Sequence, residues 1–139
     1  MARKTNTAGT VITRINDTGS DIYPYRVVKL STDSSEIEYA TSTSAAVIGV
    51  TLFNHLTSAG TWGDDDAVAI QIDGIAEIDA AGMISAGDYV VATTSGKVVS
   101  GGSVSDLSSV TQGYYVVGIA LESGTNGTRV SVLLRPQII

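Results

Sequence analysis

Short stretches of alternating apolar and polar residues, separated by glycine-rich turns, run along most of the chain. In residues 68–72, every second residue is apolar, so the apolar side chains share one face of an extended segment. Polar and glycine clusters at residues 85–88 and 95–97 are typical of turns between strands. Further apolar stretches predict strands at residues 11–15, 22–30, 45–52, 75–78, 89–91, 98–99, 116–121 and 130–134. The pattern therefore predicts an all-β fold.

The two halves of the chain share a similar order of residues. Residues 47–52, Val-Ile-Gly-Val-Thr-Leu, match residues 116–121, Val-Val-Gly-Ile-Ala-Leu, around a common glycine. Residues 22–28 likewise resemble residues 84–90 in spacing. A glycine inside an apolar strand marks a bulge, a bend or a close backbone approach. We therefore predict a small β-barrel or sandwich built from two similar β-units, with an extended N-terminal arm and at most one short helix.

Length and composition favour a single β-rich domain. A chain of 139 residues has the size of one compact domain. Charged residues make up only 16% of the chain and helix formers are sparse, which argues against a helical bundle. The absence of cysteine excludes disulfides and thiolate metal sites. We expect an N-terminal arm at residues 1–15 and one domain at residues 16–139.

The net charge of −6 is unevenly distributed along the chain. Residues 1–30 contain five basic and two acidic residues, whereas the remaining chain contains three basic and twelve acidic residues. A basic leading segment on an acidic body is typical of a tail that contacts an acidic surface. A solvated, flexible terminus is the alternative interpretation. The start also lacks the apolar run of a secretory signal, and no segment has the length of a membrane span.

Candidate catalytic and metal-binding residues do not form a recognisable motif. Asp64, Asp65 and Asp66 are adjacent, but a calcium loop needs spaced ligands, a glycine turn and a distal acid. We interpret this triplet as a solvated loop. His55 is interpreted as a loop residue, and Lys97 as an exposed cation in a turn. The sequence therefore predicts a protein that is not an enzyme and holds no metal or cofactor.

Three apolar residues are candidate interface anchors. Trp62 lies in a glycine-rich loop, where a lone tryptophan acts as a core plug or as an interface anchor. Ile138 and Ile139 are two apolar residues at the end of the chain, where covering by the domain or by a neighbour is expected. We predict that these three residues anchor an oligomer or another interface.

Several motifs resemble the capsid cement or head decoration proteins of tailed bacteriophages. They are the strand-Gly-strand arrangement around Gly74, Ser-Ala-Gly-Asp-Tyr-Val at residues 85–90, and Val-Gly-Ile-Ala-Leu-Glu at residues 117–122. The resemblance extends over nearly the whole chain. Relative to the family pattern, Tyr25 stands where a glycine is common, and residues 31–46 and 53–66 are insertions.

The resemblance implies a structural virion protein. Such a protein is made in the bacterial host cytoplasm and binds the outer surface of the expanded head, where it stabilises contacts between major capsid subunits. The implied state is a homotrimer, with no nucleic-acid or membrane partner. A ligand that binds only the assembled lattice stabilises that lattice by mass action, and a symmetric oligomer adds avidity.

We predict that the arm, residues 1–15, orders on the capsid or adds a strand to an exposed sheet edge. The arm's basic residues would face an acidic capsid surface. The candidate capsid-binding residues are Arg3, Lys4, Val11, Ile12 and Arg14.

Two other functions remain open. A β-domain that binds glycans or a host surface, displayed on a virion, would use an aromatic platform of Tyr23, Tyr25, Trp62, Tyr114 and Tyr115. A small hydrolase that uses the aspartate clusters is the third alternative.

Overall fold

The computed structural model describes residues 9–106, 108, 110, 111 and 113–138, and its regular structure is almost entirely β-strand. A turn of 3-10 helix is present at Thr94–Gly96. The strands are β1 (Val11–Asn16), β2 (Val27–Leu30), β3 (Glu36–Tyr39), β4 (Val47–Thr51), β5 (Ala67–Gln71), β6 (Ile75–Asp79), β7 (Asp88–Ala92), β8 (Val98–Ser103), β9 (Tyr115–Ala120) and β10 (Arg129–Ile138).

The first five strands form a closed barrel in the order β1-β3-β2-β4-β5. Most neighbours are antiparallel, and β5 returns to pair with β1 from Val11 to Ile15. The barrel closes through a short parallel contact in which Ile15 and Asn16 of β1 pair with β3. Closure matters because it removes the free strand edges that an open sheet presents to other chains. We name these strands the first unit.

The last five strands form a sheet in the order β6-β10-β9-β7-β8, which we name the second unit. Its strands connect in the same way as those of the first unit, with β6 and β10 in the places of β1 and β5. The outer strands approach each other through a parallel bridge between Ala80 and Val98. This bridge corresponds to the parallel β1–β3 contact, so the second unit repeats the topology of the first.

The repetition extends to individual backbone contacts. An antiparallel bridge joins Ile22 to Trp62 in the first unit, and an equivalent bridge joins Ile84 to Gly124 in the second. Glycines inside β4 and β9 also have the same role. A Cβ at Gly49 would overlap the carbonyl oxygen of Gln71 on β5, and a Cβ at Gly118 would overlap that of Leu133 on β10. Each glycine is therefore required by a close approach between strands.

Tyr25 has an unusual backbone conformation, and the equivalent residue of the second unit is a glycine. Gly87 has a φ of 88°, and Tyr25 occupies the matching place in the first unit with a φ of 63°. Their amide groups donate equivalent hydrogen bonds, from Tyr25 to Thr51 and from Gly87 to Ala120. A left-handed conformation is uncommon for a tyrosine, because its Cβ crowds the backbone. The first unit therefore holds Tyr25 in a conformation that suits glycine.

Two apolar cores are present among the described residues. The smaller core fills the first barrel with Ile22, Val28, Ile37, Val68 and Ile70. The larger core lies inside the second unit, and four residues from the outer side of the first unit complete it. These four residues are Val27, Ala40, Val47 and Val50. The two units therefore share a core and form one packed body.

The predicted fold class is confirmed. The structure is all-β, contains a barrel, and consists of two similar β-units with almost no helix. Of the predicted arm, Val11–Ile15 form part of the barrel wall, because β1 pairs with β5 of the same chain. Residues 1–8 lie outside the described residues. In the described part of the chain, no helix has the length and apolar character needed to cross a membrane.

Replacement of Gly118 by alanine tests the close approach between β9 and β10. The new Cβ would overlap the Leu133 carbonyl, so we expect Gly118→Ala to lower the free energy of unfolding by about 3 kcal/mol. Gly63→Ala is the matched control, since a Cβ there meets only atoms at ordinary contact distance, and its cost should stay within about 0.5 kcal/mol. Urea unfolding measures both. Equal costs for the two variants would contradict the predicted overlap.

Candidate interaction surface

A nine-residue loop at residues 53–61 distinguishes the first unit from the second. The equivalent connection in the second unit, between Leu121 and Gly124, has only two residues. We name residues 53–61 the 53–61 loop. The backbone on either side of this connection is equivalent in the two units. The 53–61 loop is therefore an insertion into a connection that is short in the second unit.

Asn54 holds the 53–61 loop together from inside. Its side-chain amide donates to the Thr61 carbonyl at 2.9 Å, and its side-chain oxygen accepts from the Leu56 amide at 3.1 Å. Its backbone amide donates to the Gly60 carbonyl at 3.0 Å. These bonds satisfy a buried polar side chain and join the start of the loop to its end. The loop therefore has a defined shape of its own.

The loop exposes a leucine. Leu56 is 94% exposed, and Met83, in the connection between β6 and β7, is 77% exposed. Burying a leucine or methionine side chain stabilises a protein or a complex by roughly 1.5–3 kcal/mol. Single exposed apolar residues are common, but two beside adjoining cavities favour a binding surface.

Two cavities adjoin at this surface. One has a volume of about 760 Å³ and lies under the 53–61 loop, between Tyr25, Phe53, Leu56 and Trp62. The other has a volume of about 600 Å³ and is lined by Met83 and Arg129 among others. They meet where the Arg129 guanidinium carbon lies 3.6 Å from the centre of the Tyr25 ring. We name the 53–61 loop together with Tyr25, Met83 and Arg129 the loop surface.

Aromatic rings form the base of the loop surface. The ring centres of Tyr25 and Phe53 are 6.4 Å apart, and those of Phe53 and His55 are 5.1 Å apart. Both pairs are tilted, within the range of favourable aromatic contacts. The side chain of Tyr25, the residue with the left-handed backbone, therefore begins a row of rings that continues into the 53–61 loop.

An ion network beneath the loop surface joins the two units. Asp79 of β6 accepts hydrogen bonds from Arg26 of the first unit at 3.1 Å and from Arg129 of the second at 3.2 Å. Arg26 also donates to the Ser95 carbonyl, and its guanidinium lies over Tyr39, whose pKa is raised because the ring is partly buried. The network positions the arginine that covers Tyr25.

The structure describes three of the five predicted capsid-binding residues, and all three lie on β1. Arg3 and Lys4 lie outside the described residues. Val11 is exposed on β1, whereas Ile12 packs against the core of the first barrel. Arg14 donates to the carbonyl groups of Ser34 and Thr13, which hold it against its own barrel. Val11, Ile12 and Arg14 thus belong to a barrel strand and not to the loop surface.

The predicted interface anchors do not lie together in the structure. Trp62 packs against the first core and donates its indole N–H to the Leu52 carbonyl at 2.7 Å, while part of its ring lines the loop cavity. Ile138 is 70% exposed at the end of β10, paired with Tyr115. Ile139 lies outside the described residues. Trp62 therefore borders the loop surface, and Ile138 lies elsewhere.

The aromatic residues proposed as a glycan platform occupy two regions. Tyr25 and Trp62 line the loop cavity, and Tyr23 lies beside Arg26. Tyr115 begins β9, whereas the loop surface lies beyond the other end of that strand, and Tyr114 precedes Tyr115. The two ends of β9 are about 17 Å apart, so Tyr114 and Tyr115 are distant from the loop surface.

Two residues of the aspartate triplet, Asp64 and Asp66, accept hydrogen bonds that stabilise local turns. Carboxylate oxygens of Asp17, Asp64 and Asp65 lie within 4.8 Å of one another on an exposed surface. Asp64 accepts a hydrogen bond from the Gly19 amide, and Asp66 accepts one from the Gly63 amide. Nearby, desolvation and the carboxylate of Asp17 raise the pKa of Glu36. The arrangement is an acidic surface whose turns are stabilised by its own side chains.

Comparison with solved structures gives a likeness over nearly the full length of the chain. The chain is similar to the crystal structure of the head fiber gp8.5 N base of bacteriophage phi29, with a TM-score of 0.61 and 18% sequence identity. The match covers 94% of this chain and 98% of that chain. No protein-family model matches the chain, and no curated protein matches it. The likeness shows that the whole fold, with both units, occurs in a phage head fiber base.

Removal of Asp79 tests the ion network. Asp79→Ala leaves Arg26, whose side chain is 12% exposed, without its carboxylate, so we expect the free energy of unfolding to fall by about 2 kcal/mol. Glu38→Ala breaks the exposed Lys29–Glu38 pair and should change stability by less than about 0.5 kcal/mol. Urea unfolding of both variants makes the comparison. A cost for Asp79→Ala as small as that for Glu38→Ala would mean that the network does not join the units.

Proposed function

We propose that this protein is a structural, non-enzymatic component of a tailed-phage virion that binds the outer surface of the expanded head. The observation that carries the proposal is the full-length likeness to a phage head fiber base. The sequence resemblance to head decoration proteins, drawn from motifs at residues 85–90 and 117–122, supports the same location. The partner in this proposal is the major capsid protein, and the protein acts as a homotrimer.

The loop surface supports a role in gripping a partner. Leu56 extends from a loop whose internal hydrogen bonds fix its shape, so little conformational entropy is lost when a partner covers it. The adjoining cavities offer apolar and aromatic walls to a partner side chain. We assign the loop surface to the capsid contact.

The N-terminal residues supply a second contact in this proposal. Thr10 is tied to Asp73 by backbone and side-chain hydrogen bonds, so the preceding residues start from a defined point where the two units join. Arg3 and Lys4 precede Thr10 in the sequence, and in this proposal they pair with acidic groups on the capsid. Two weak contacts on each of three subunits give high avidity.

Glycan binding is the second candidate function. The observation that favours it is the loop cavity, in which Tyr25, Phe53 and Trp62 present aromatic surface. Trp62 is the single tryptophan of the chain, so a fluorescence titration with sugars reports directly on this cavity. Saturable quenching without binding to heads would favour this function over the first.

Cosedimentation with phage heads tests the proposed function. We expect the protein to pellet with expanded heads at a fixed stoichiometry and to remain in the supernatant with immature heads, because only the expanded lattice presents the complete site. The heads should be assembled from the major capsid protein of the same phage. Failure to pellet with expanded heads would refute the proposal.

Two variants separate the proposed contacts. Leu56→Ser and the double variant Arg3→Glu, Lys4→Glu should each weaken binding to expanded heads by about tenfold, equivalent to ~1.4 kcal/mol. Binding by the wild type should also weaken in high salt, and the charge variant should have lost most of this dependence. Leu30→Ser, which removes an exposed leucine from β2, is the control and should bind like the wild type. Wild-type affinity in either test variant removes that contact from the proposal.

A further inference from the structure

A row of four apolar side chains crosses the outer face of the second unit. Ile75 of β6 pairs with Leu133 of β10, Leu133 pairs with Ile119 of β9, and Ile119 pairs with Tyr89 of β7. Residues that pair directly across strands lie on the same face of a sheet, with their side chains in contact range. The four residues therefore form a continuous stripe about 14 Å long. We name it the outer row.

The first unit has an equivalent row of four residues, of which three are buried and Val11, at one end, is exposed. Val11, Gln71, Val50 and Val27 pair across β1, β5, β4 and β2 in the same order. Val27 and Val50 are fully buried in the core shared with the second unit. Gln71 is buried as well, and its side-chain amide donates to the carbonyls of Asp73 and Ile75 where the second unit begins. The three buried residues of this row therefore lie at the interface between the units.

The outer row lacks such a cover within the described chain. All four residues remain partly exposed, and none of them belongs to either apolar core. Leu121 lies two residues beyond Ile119 and is also exposed, which enlarges the apolar area. At the places equivalent to Ile119 and Tyr89, the first unit has Val50 and Val27, which are buried in the core shared with the second unit. Both units therefore carry this kind of row, but only the row of the first unit is packed against another part of the described chain.

We propose that the outer row is the self-association surface of this protein and is covered by a second copy of the chain. The assignment gives a location to the homotrimer contact and so rests on the proposed function. The occupant follows from the interface inside the chain, because a β-unit of this same fold covers Val27 and Val50 of the equivalent row there. An aromatic residue among aliphatic ones, without a charged member, is the composition of an oligomer interface core.

The location separates two functions on the molecule. The outer row lies on the sheet face of the second unit, whereas the loop surface lies at the connections between strands. Copies joined through the outer row therefore keep their 53–61 loops available for the capsid. A symmetric oligomer of this kind multiplies the capsid contact without occupying it.

Sedimentation equilibrium tests the proposal with the full-length chain. We expect the wild type to sediment at about three times the 14.3 kDa chain mass, and Ile119→Asp and Tyr89→Ser to weaken association by at least about 30-fold. Leu56→Ser is the matched control and should associate like the wild type, although it binds heads less tightly. Far-ultraviolet circular dichroism establishes that each variant is folded.

A second measurement covers the case in which the variants do not fold. The chain has no cysteine, so Ile119→Cys introduces a single thiol. Its reaction with a maleimide should slow as protein concentration rises, and that of Leu56→Cys should not. A concentration-independent rate, or an oligomer that survives Ile119→Asp, overturns the proposal.

Other occupants give distinct results. A monomeric wild type that loses head binding on Ile119→Asp would assign the outer row to the capsid protein and refute self-association. A monomer in which deletion of residues 2–8 accelerates labelling of Ile119→Cys would show that the N-terminal segment covers the row, and self-association would again be refuted. The proposed function fails separately, if the wild type does not pellet with expanded heads whatever its mass.

Discussion

Burial of the outer face of β2 and β4 by the second unit is the interaction on which the structure depends. The first unit is a closed barrel, yet Val27 and Val50 point away from its interior. The second unit is a sheet whose outer strands approach each other at the Ala80–Val98 bridge, and it takes these valines into its own core. Each unit therefore leaves apolar surface exposed without the other, and apolar burial is the largest favourable term in folding. The two halves are units of structure without being independent domains.

Directional contacts then set how the units meet. Apolar burial alone tolerates rotation, because it depends on area and not on angle. Asp79 contacts arginines from both units, and the Tyr25 carbonyl accepts a hydrogen bond from the Asp79 amide. Arg129, held in this network, covers the Tyr25 ring. The contacts that orient the units thus also shape the base of the loop surface.

The candidate functions lie where the two units differ. Both units share topology, close strand approaches and a left-handed position, and these features serve the fold. The first unit adds the 53–61 loop and replaces the expected glycine by Tyr25, which together create an aromatic surface with an exposed leucine. The second unit keeps an apolar row that has no counterpart to cover it within the described chain. The repeated topology forms the scaffold, and the features that differ between the two units form the candidate binding surfaces.

The sequence alone determined the all-β class, most strands and the two similar units, because alternation, turn residues and repeated glycines are local signals. The resemblance to head decoration proteins added that Tyr25 stands where a glycine is common and that residues 53–66 are an insertion. It did not assign Val11–Ile15 to the barrel, nor bring Arg129 onto Tyr25, since those contacts join residues distant along the chain. Only the tertiary structure decided which apolar residues stay exposed, because a strand pattern gives each side chain a face but does not say what covers that face.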